Sequence, residues 1–254
     1  MATKKVALVE ETKVPKVKVS KLDFAVPLEE LLDSGAHFGH LVKRWNPKMK
    51  KYIYMERDGV HIFDLAKTAE KLREACEYLY EAAKAGKSII MVGTKRQAAE
   101  IIQEVAEKAG IPYISERWMG GIITNWEQIS KRIKKLGEMV TARDKGEFNK
   151  YTKKERLLLD REIIRLQRFF GGLTVLKGKP EVLFIVDTHK ERVAVREATS
   201  KGVIVVGITD TNANPDLVDY PIPANDDAIR SVKLIVEMAG KAIGEGQKLA
   251  VKAV

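Results

Sequence analysis

Short, uninterrupted apolar runs separated by amphipathic helical stretches constrain this chain more than any other feature. Ile89–Val92, Val182–Val186 and Val203–Val206 are apolar along their whole length. A strand that is apolar on both faces must be covered on both, which is the condition of a parallel sheet between two helical layers. The spacing gives a strand at Val60–Phe63, then a helix face at Leu72, Cys76, Leu79 and Ala83 that stops at Gly86. A strand at Ser88–Val92, a helix at Arg96–Ala109 ended by Gly110, and a short strand at Pro112–Ile114 follow. Strand Val182–Val186, helix Lys190–Ser200, strand Val203–Ile208 and a final helix from about Asp226 to Ala242 complete the series. Ahead of it, Pro27 opens a short helix through Asp33 that Gly35 closes. The expected class is α/β, with a doubly wound parallel sheet.

The series is interrupted between Ile114 and Val182. Ile129, Ile133, Leu136 and Val140 recur at spacings of 4, 3 and 4, and Leu159, Ile163, Leu166 and Phe170 repeat that rhythm. Folding the two segments antiparallel about residues 149–150 pairs 129 with 170, 133 with 166, 136 with 163 and 140 with 159. That is a 3.5-period seam, the mark of a helical hairpin of the coiled-coil type. Thr124-x-x-Glu127 and Thr152-x-x-Glu155 read as capping boxes for its two helices, and Gly146 and Asn149 supply its turn. At about 1.5 Å per residue each arm extends roughly 25–30 Å, too long for the sheet domain to enclose, so it is expected to project. The organisation expected is a flexible basic arm at 1–21, an α/β domain from 22–123 and 173–254, and an inserted hairpin at 124–172.

With 254 residues, 45 % of them hydrophobic, the chain is long enough for a substantial core. No apolar run approaches the ~20 residues that span a bilayer, and the first twenty residues carry lysines without an apolar signal core. The single cysteine, Cys76, excludes a disulfide framework and a Cys-rich zinc site, and its place on an apolar stripe makes it a small buried hydrophobe. A soluble, cytoplasmic protein with no membrane partner is expected.

The net charge of +10 is confined to two places. Residues 1–21 hold six lysines against Glu10 and Glu11, and residues 126–172 hold thirteen basic against seven acidic groups. The remainder is neutral. Basic appendages on a neutral body are the electrostatic footprint of a nucleic-acid partner.

Several motifs suggest chemistry and then weaken on inspection. Val92-Gly-Thr-Lys-Arg-Gln97 places a small loop between a strand and a helix, where phosphates bind, yet it lacks the nucleotide-loop spacing. Thr94-x-x-Gln97 reads as a capping box, which leaves Lys95 and Arg96 for a backbone phosphate. Asp187, Asp210 and Asp216 fall at or beyond strand carboxyl ends, where Mg²⁺ could serve phosphoryl transfer, but no nucleophile motif accompanies them. Thr188-x-x-Glu191 is a further box. His37-x-x-His40 lacks a third metal ligand nearby. Trp118 and Trp126 serve either to anchor the hairpin root or to stack on a base. The loop 209–227 carries Asp210, Asp216, Asp219, Asp226 and Asp227 with no cation; it meets a basic protein or holds Mg²⁺ against RNA, and both readings stay open.

His37–Arg57 is more specific. Six basic residues are interleaved with Phe38, Trp45, Tyr52 and Tyr54, and Asn46-Pro47 is expected to break any helix. Cations for phosphates and aromatic faces for unstacked bases are the equipment of irregular RNA recognition.

At these residues the chain closely resembles the bacterial ribosomal protein S-two family. The resemblance is carried by Gly35-Ala-His-Phe-Gly-His40, Arg44-Trp-Asn-Pro-Lys-Met49, Val60-His-Ile-Phe-Asp-Leu65 and Val92-Gly-Thr-Lys-Arg-Gln97. It continues in Arg117-Trp-Met-Gly-Gly121, Thr124-Asn-Trp126, Thr209-Asp-Thr-Asn212 and Ile222-Pro-Ala-Asn-Asp-Asp-Ala-Ile-Arg230. It runs from about Leu22 to Gly244 and leaves out the lysine-rich arm. The resemblance implies a flavodoxin-like domain with an inserted coiled-coil hairpin, bound as a monomer to small-subunit ribosomal RNA. It further implies a role in docking ribosomal protein S-one, which captures messenger RNA, with no catalysis and no cofactor.

Two RNA-binding surfaces are therefore expected. The first comprises His37, Phe38, His40, Lys43, Arg44, Trp45, Asn46, Lys48, Lys50 and Lys51, aided by Lys95, Arg96 and Arg117. The second is the hairpin's outer face, with Lys131, Arg132, Lys135, Arg161, Arg165 and Arg168. The rivals are a Mg²⁺-dependent phosphate enzyme built on Asp187 and Asp210, and a free regulatory RNA- or DNA-binding protein.

Overall fold

The computed structural model describes residues 24–176 and 178–252. The basic arm at 1–21 lies outside them. In chain order the elements are α1 (Leu28–Asp33), β1 (Phe38–Leu41), β2 (Ile53–Arg57), β3 (Val60–Phe63), α2 (Leu65–Lys84), β4 (Ile89–Val92), α3 (Arg96–Ala109) and β5 (Tyr113–Ile114). Then come α4 (Trp126–Asp144), α5 (Lys153–Phe170), β6 (Val182–Val186), α6 (Arg192–Lys201), β7 (Ile204–Thr209), β8 (Tyr220–Pro223) and α7 (Ile229–Lys252).

Five strands form one sheet in the order β5-β4-β6-β7-β8, every pair parallel. Counted along the chain this is 2-1-3-4-5, one of the common doubly wound orders. Alternation within each strand divides the sheet into two faces. Ile89 and Met91, Val182, Phe184 and Val186, and Val206 and Ile208 pack with α2, α3 and α7. Ile90 and Val92, Leu183 and Ile185, and Val205 pack with α6 and the inner ends of α4 and α5. The apolar runs are thus buried on both sides, as their composition requires.

Four strands depart from the sequence expectation: β1 and β2, in a stretch read as an irregular loop, and β3 and β8. Val60–Phe63 is a strand but does not join the parallel sheet; it is the centre of a separate antiparallel sheet, β1-β3-β2, whose outer strands are more polar. Only two of its four residues are buried, whereas β4 and β6 inside the parallel sheet are buried throughout. Tyr220–Pro223, in the stretch read as an acidic loop, forms the edge strand β8. Its two prolines are permitted because an edge strand needs ladder donors on one side alone.

Helix ends differ as well. Asn46-Pro47 starts a 3₁₀ helix at Pro47–Tyr52 rather than breaking one: Asn46 Oδ1 accepts from the Lys48 amide at 3.1 Å. The Thr152–Glu155 capping box is present in both directions. The other three boxes are not. Thr94 donates instead to Glu191, Thr124 donates to Glu197, and the Thr188 hydroxyl has no partner among the described residues. In each of these, a carboxylate distant in sequence or a different turn competes with the local box. The last helix runs ten residues beyond Ala242 despite Gly244 and Gly246, because α2 packs so closely that a Cβ at Gly246 would meet Ala83 at 2.8 Å.

Residues of α4 and α5 share one apolar cluster. Ile129, Leu136, Ile163, Leu166 and Phe170 are buried in it, and Ile133 and Val140 are half-buried against it. Among the described residues no helix is long and apolar enough to cross a membrane.

A charged crevice and two basic surfaces

In an open parallel sheet a crevice opens at the strand carboxyl ends where the order reverses. Here that point lies between β4 and β6, and the loops that follow those strands supply Thr94 and Lys95, and Asp187, Lys190 and Glu191. The loops after β7 and β8 add Asp210 with Thr211, and Asp226 with Asp227.

The small antiparallel sheet is docked over this end. The Asn46 amide donates to the Thr211 carbonyl at 2.7 Å, and the His40 amide to Thr211 Oγ1 at 2.9 Å. Glycine at position 39 allows the approach, since a Cβ there would sit 2.6 Å from Thr211 Cγ2. His40 is thereby delivered into the crevice, with Nδ1 3.0 Å from Asp210 and Nε2 3.6 Å from Asp227.

Lys95 reaches the same place, 2.7 Å from Asp226 and 3.5 Å from Asp187, with Asp227 also in contact. Burial acts to lower its pKa, but the hydrogen bond and charge of Asp226, joined by Asp227 and Asp187, outweigh it and hold the ammonium above its usual range. The hydrogen bond to Asp210 raises the pKa of His40. Asp226 is fully buried, and burial together with the charges of Asp210 and Asp187 pushes its carboxyl up to about 8. Its Oδ2 has no hydrogen-bond partner among the described residues. Asp187 holds a left-handed backbone, φ 64°, and its carboxylate accepts from the Lys190 amide at 2.8 Å. His40, Asp210 and Asp226 place one ligand atom each within 4.8 Å of one another, a set that could hold a metal ion.

The structure therefore divides the expected RNA-binding residues. Lys95 and His40 are engaged by carboxylates in the crevice, and Asn46 is used as a cap. Trp45 is half-buried with its ring 5.0 Å from that of His61, and His37 is half-buried against Phe38 at 4.0 Å. Lys43, Arg44, Lys50, Lys51, Arg96 and Arg117 are exposed and form no ion pair among the described residues. Lys48 is exposed and 2.7 Å from Asp216. Phe38 stands 48 % exposed.

On α4 and α5 all six named cations are exposed. Lys131 pairs with Glu127 at 2.9 Å, Arg165 with Glu162 at 2.9 Å and Arg168 with Glu116 at 2.7 Å. Arg132, Lys135 and Arg161 have no ion pair among the described residues. Trp118 is buried and donates to Glu197 at 3.3 Å, which favours the anchoring role for it over stacking. All five carboxylates in loop 209–227 are tied within the chain: Asp210, Asp226 and Asp227 in the crevice, Asp216 to Lys48 and Asp219 to the Val205 amide.

Glu197 escaped the sequence reading, which took Glu191 for the end of a capping box and Asp227 for part of an acidic loop. Each is a carboxylate given its role by partners dozens of residues away.

Comparison with known proteins supplies an independent line. The family model described as Ribosomal protein S2 matches residues 31–246. The chain is 49 % identical over 223 residues to "Small ribosomal subunit protein uS2" of Coprothermobacter proteolyticus, covering 88 % of this chain and 83 % of that one. It is 50 % identical over 222 residues to the protein of the same name from a Roseiflexus species, covering 87 % and 85 %.

Proposed function

The chain belongs to the Ribosomal protein S2 family, and from that premise we propose that it is a structural constituent of the small ribosomal subunit, gripping the subunit's ribosomal RNA through two separate basic surfaces. A family of ribosomal proteins leaves no place for the Mg²⁺-dependent enzyme on Asp187 and Asp210. The observation that carries the two-surface reading is the set of exposed cations with no ion pair among the described residues. Lys43, Arg44 and Lys50 lie on the small sheet and its 3₁₀ turns; Arg132, Lys135 and Arg161 lie on α4 and α5. In this reading α4 and α5 close on their apolar seam as an antiparallel coiled-coil hairpin that projects from the sheet domain. The crevice cluster plays a different part: its carboxylates use up Lys95 and His40 and hold the RNA-facing small sheet in place. Affinity comes from phosphate neutralisation, and position from the shape of the folded RNA.

The second element of the proposal is support for docking of ribosomal protein S-one. Leu28, Leu32, Phe38, Leu41 and Ile229 are large apolar side chains left exposed. The first residues of this group and the last are drawn together where Asn225 bonds the Gly35 and Ala36 carbonyls and Gly35 abuts Ala228. Exposed apolar side chains suit a protein segment better than an RNA phosphate.

Replacing Arg44 and Lys48 with Ala in the full-length protein tests the RNA reading. The slope of log affinity against log salt for small-subunit ribosomal RNA is expected to fall by about 1 for each phosphate that is no longer neutralised. Lys48 first has to leave Asp216, so Arg44→Ala alone carries the larger share. Unchanged affinity and slope in the double variant would remove this surface from the interface.

A further inference from the structure

We propose that Glu197 is the positioning residue that fixes the direction in which α4 and α5 leave the sheet domain. The inference goes beyond RNA binding but rests on that reading in its last step. The first helix of the pair begins at Trp126 with no side-chain cap of its own. The donors of the preceding turn converge instead on one carboxylate from α6, more than seventy residues later. Glu197 Oε1 accepts from the Gly121 amide at 2.8 Å and from Trp118 Nε1 at 3.3 Å. Its Oε2 accepts from the Ile123 and Thr124 amides, both at 3.2 Å, and from Thr124 Oγ1 at 3.1 Å.

Five donors on one half-buried carboxylate make a directional joint, because each hydrogen bond fixes an angle as well as a distance. No lysine or arginine pairs with Glu197 among the described residues, so its charge is met by peptide dipoles, indole and hydroxyl alone. The carboxylate is itself fixed: Ala194, Val195 and Ala198 bury the same helix against the sheet, in the cluster that holds Trp118, Ile122 and Ile123. The pose of α4 is thus referred through Glu197 to the sheet.

Leverage gives the joint its consequence. Over an arm of roughly 27 Å, a tilt of about 10° at the root displaces the tip by about 5 Å. Two surfaces that grip one rigid RNA gain affinity from each other only while their separation matches it.

The test uses the full-length protein carrying Lys150→Cys, between the two helices, and Lys201→Cys, at the end of α6, each labelled with a nitroxide. Cys76 is buried, and its thiol, pushed up to about 12 by burial, stays unlabelled. Pulsed electron-spin distance measurement is expected to give one narrow distance with Glu197 present. Glu197→Ala is expected to broaden or shift it by about 5 Å while helicity and melting of the sheet domain persist. Glu197→Gln retains the side-chain volume but turns an amide donor toward the Ile123 and Thr124 amides, so broadening there assigns the effect to acceptor geometry; it also serves as the test if the alanine variant fails to fold. Affinity for small-subunit ribosomal RNA is expected to fall tenfold or more in parallel. Distance distributions superimposable on the parent in both variants overturn the proposal; a broadened distribution with unchanged RNA affinity upholds the joint and overturns its consequence for RNA binding. Failure of the unsubstituted protein to bind RNA overturns the functional reading instead, and the distances still decide the joint.

Discussion

Asp226 makes the stability of the isolated protein depend on pH with the opposite sign from an ordinary paired carboxylate. Burial, with Asp210 and Asp187 close by, raises its carboxyl from 3.8 to about 8. A group whose folded pKa lies above its unfolded value holds a proton that unfolding releases, so stability falls as pH rises between the two values. From pH 5.5 to 7.5 the unfolded carboxyl is ionised throughout, while the folded one keeps most of a proton. At about 1.36 kcal/mol per unit for one proton, stability is expected to drop by about 2.5 kcal/mol across that window. His40, raised by Asp210, and Glu191, raised by burial, act in the same direction. Asp226→Asn isolates the share of Asp226, since the amide cannot ionise. Urea denaturation at pH 5.5, 6.5, 7.5 and 8.5, in chelator and at fixed salt, measures both proteins. The variant's curve is expected to be flatter by roughly 1 kcal/mol per unit up to about pH 8. Parallel curves, or a parent protein as stable at pH 8.5 as at 5.5, would refute the assignment of the proton to Asp226.

The seam between α4 and α5 is tested by Ile163→Ala, which empties a fully buried site and is expected to cost about 2–5 kcal/mol; Ile133→Asp, opposite Leu166 in the expected pairing, should lower helicity by circular dichroism while the sheet domain persists. Thr152→Ala removes the one capping box the structure retains and should destabilise α5 by about 1 kcal/mol, read as a lower urea midpoint.

The parallel sheet was legible because its strands carry their burial in their composition: Val182–Val186 can be nothing but a strand covered on both faces. That α4 and α5 are helices with apolar sides in one cluster was legible because a fixed period survives in local sequence. Tyr220–Pro223 was hidden by prolines and by neighbouring aspartates, both of which signal loop, although an edge position accepts them. The crevice stayed illegible for a deeper reason. Lys95 and Arg96 are adjacent and both basic, yet one is captured by Asp226 and Asp187 while the other faces solvent. The difference arises from the meeting of four loops, and no spacing along the chain records it. Three of the four T-x-x-E/Q patterns misled for the same reason, each offering a local bond that a distant carboxylate or a competing turn displaced.

The last helix has a bearing on how the chain is made. α7 packs along α2 and α3, and glycines at 240 and 246 let it approach so closely that Val105 and the backbone near Tyr80 fill the room a methyl group would need. Such glycines weaken a helix standing alone by about 1 kcal/mol each. During synthesis, α2 and α3 therefore emerge well over a hundred residues before α7, and the face of the sheet that they share with it is incompletely covered until then. A nascent chain of this design carries exposed apolar surface from the emergence of α2 until that of α7, an interval open to premature association.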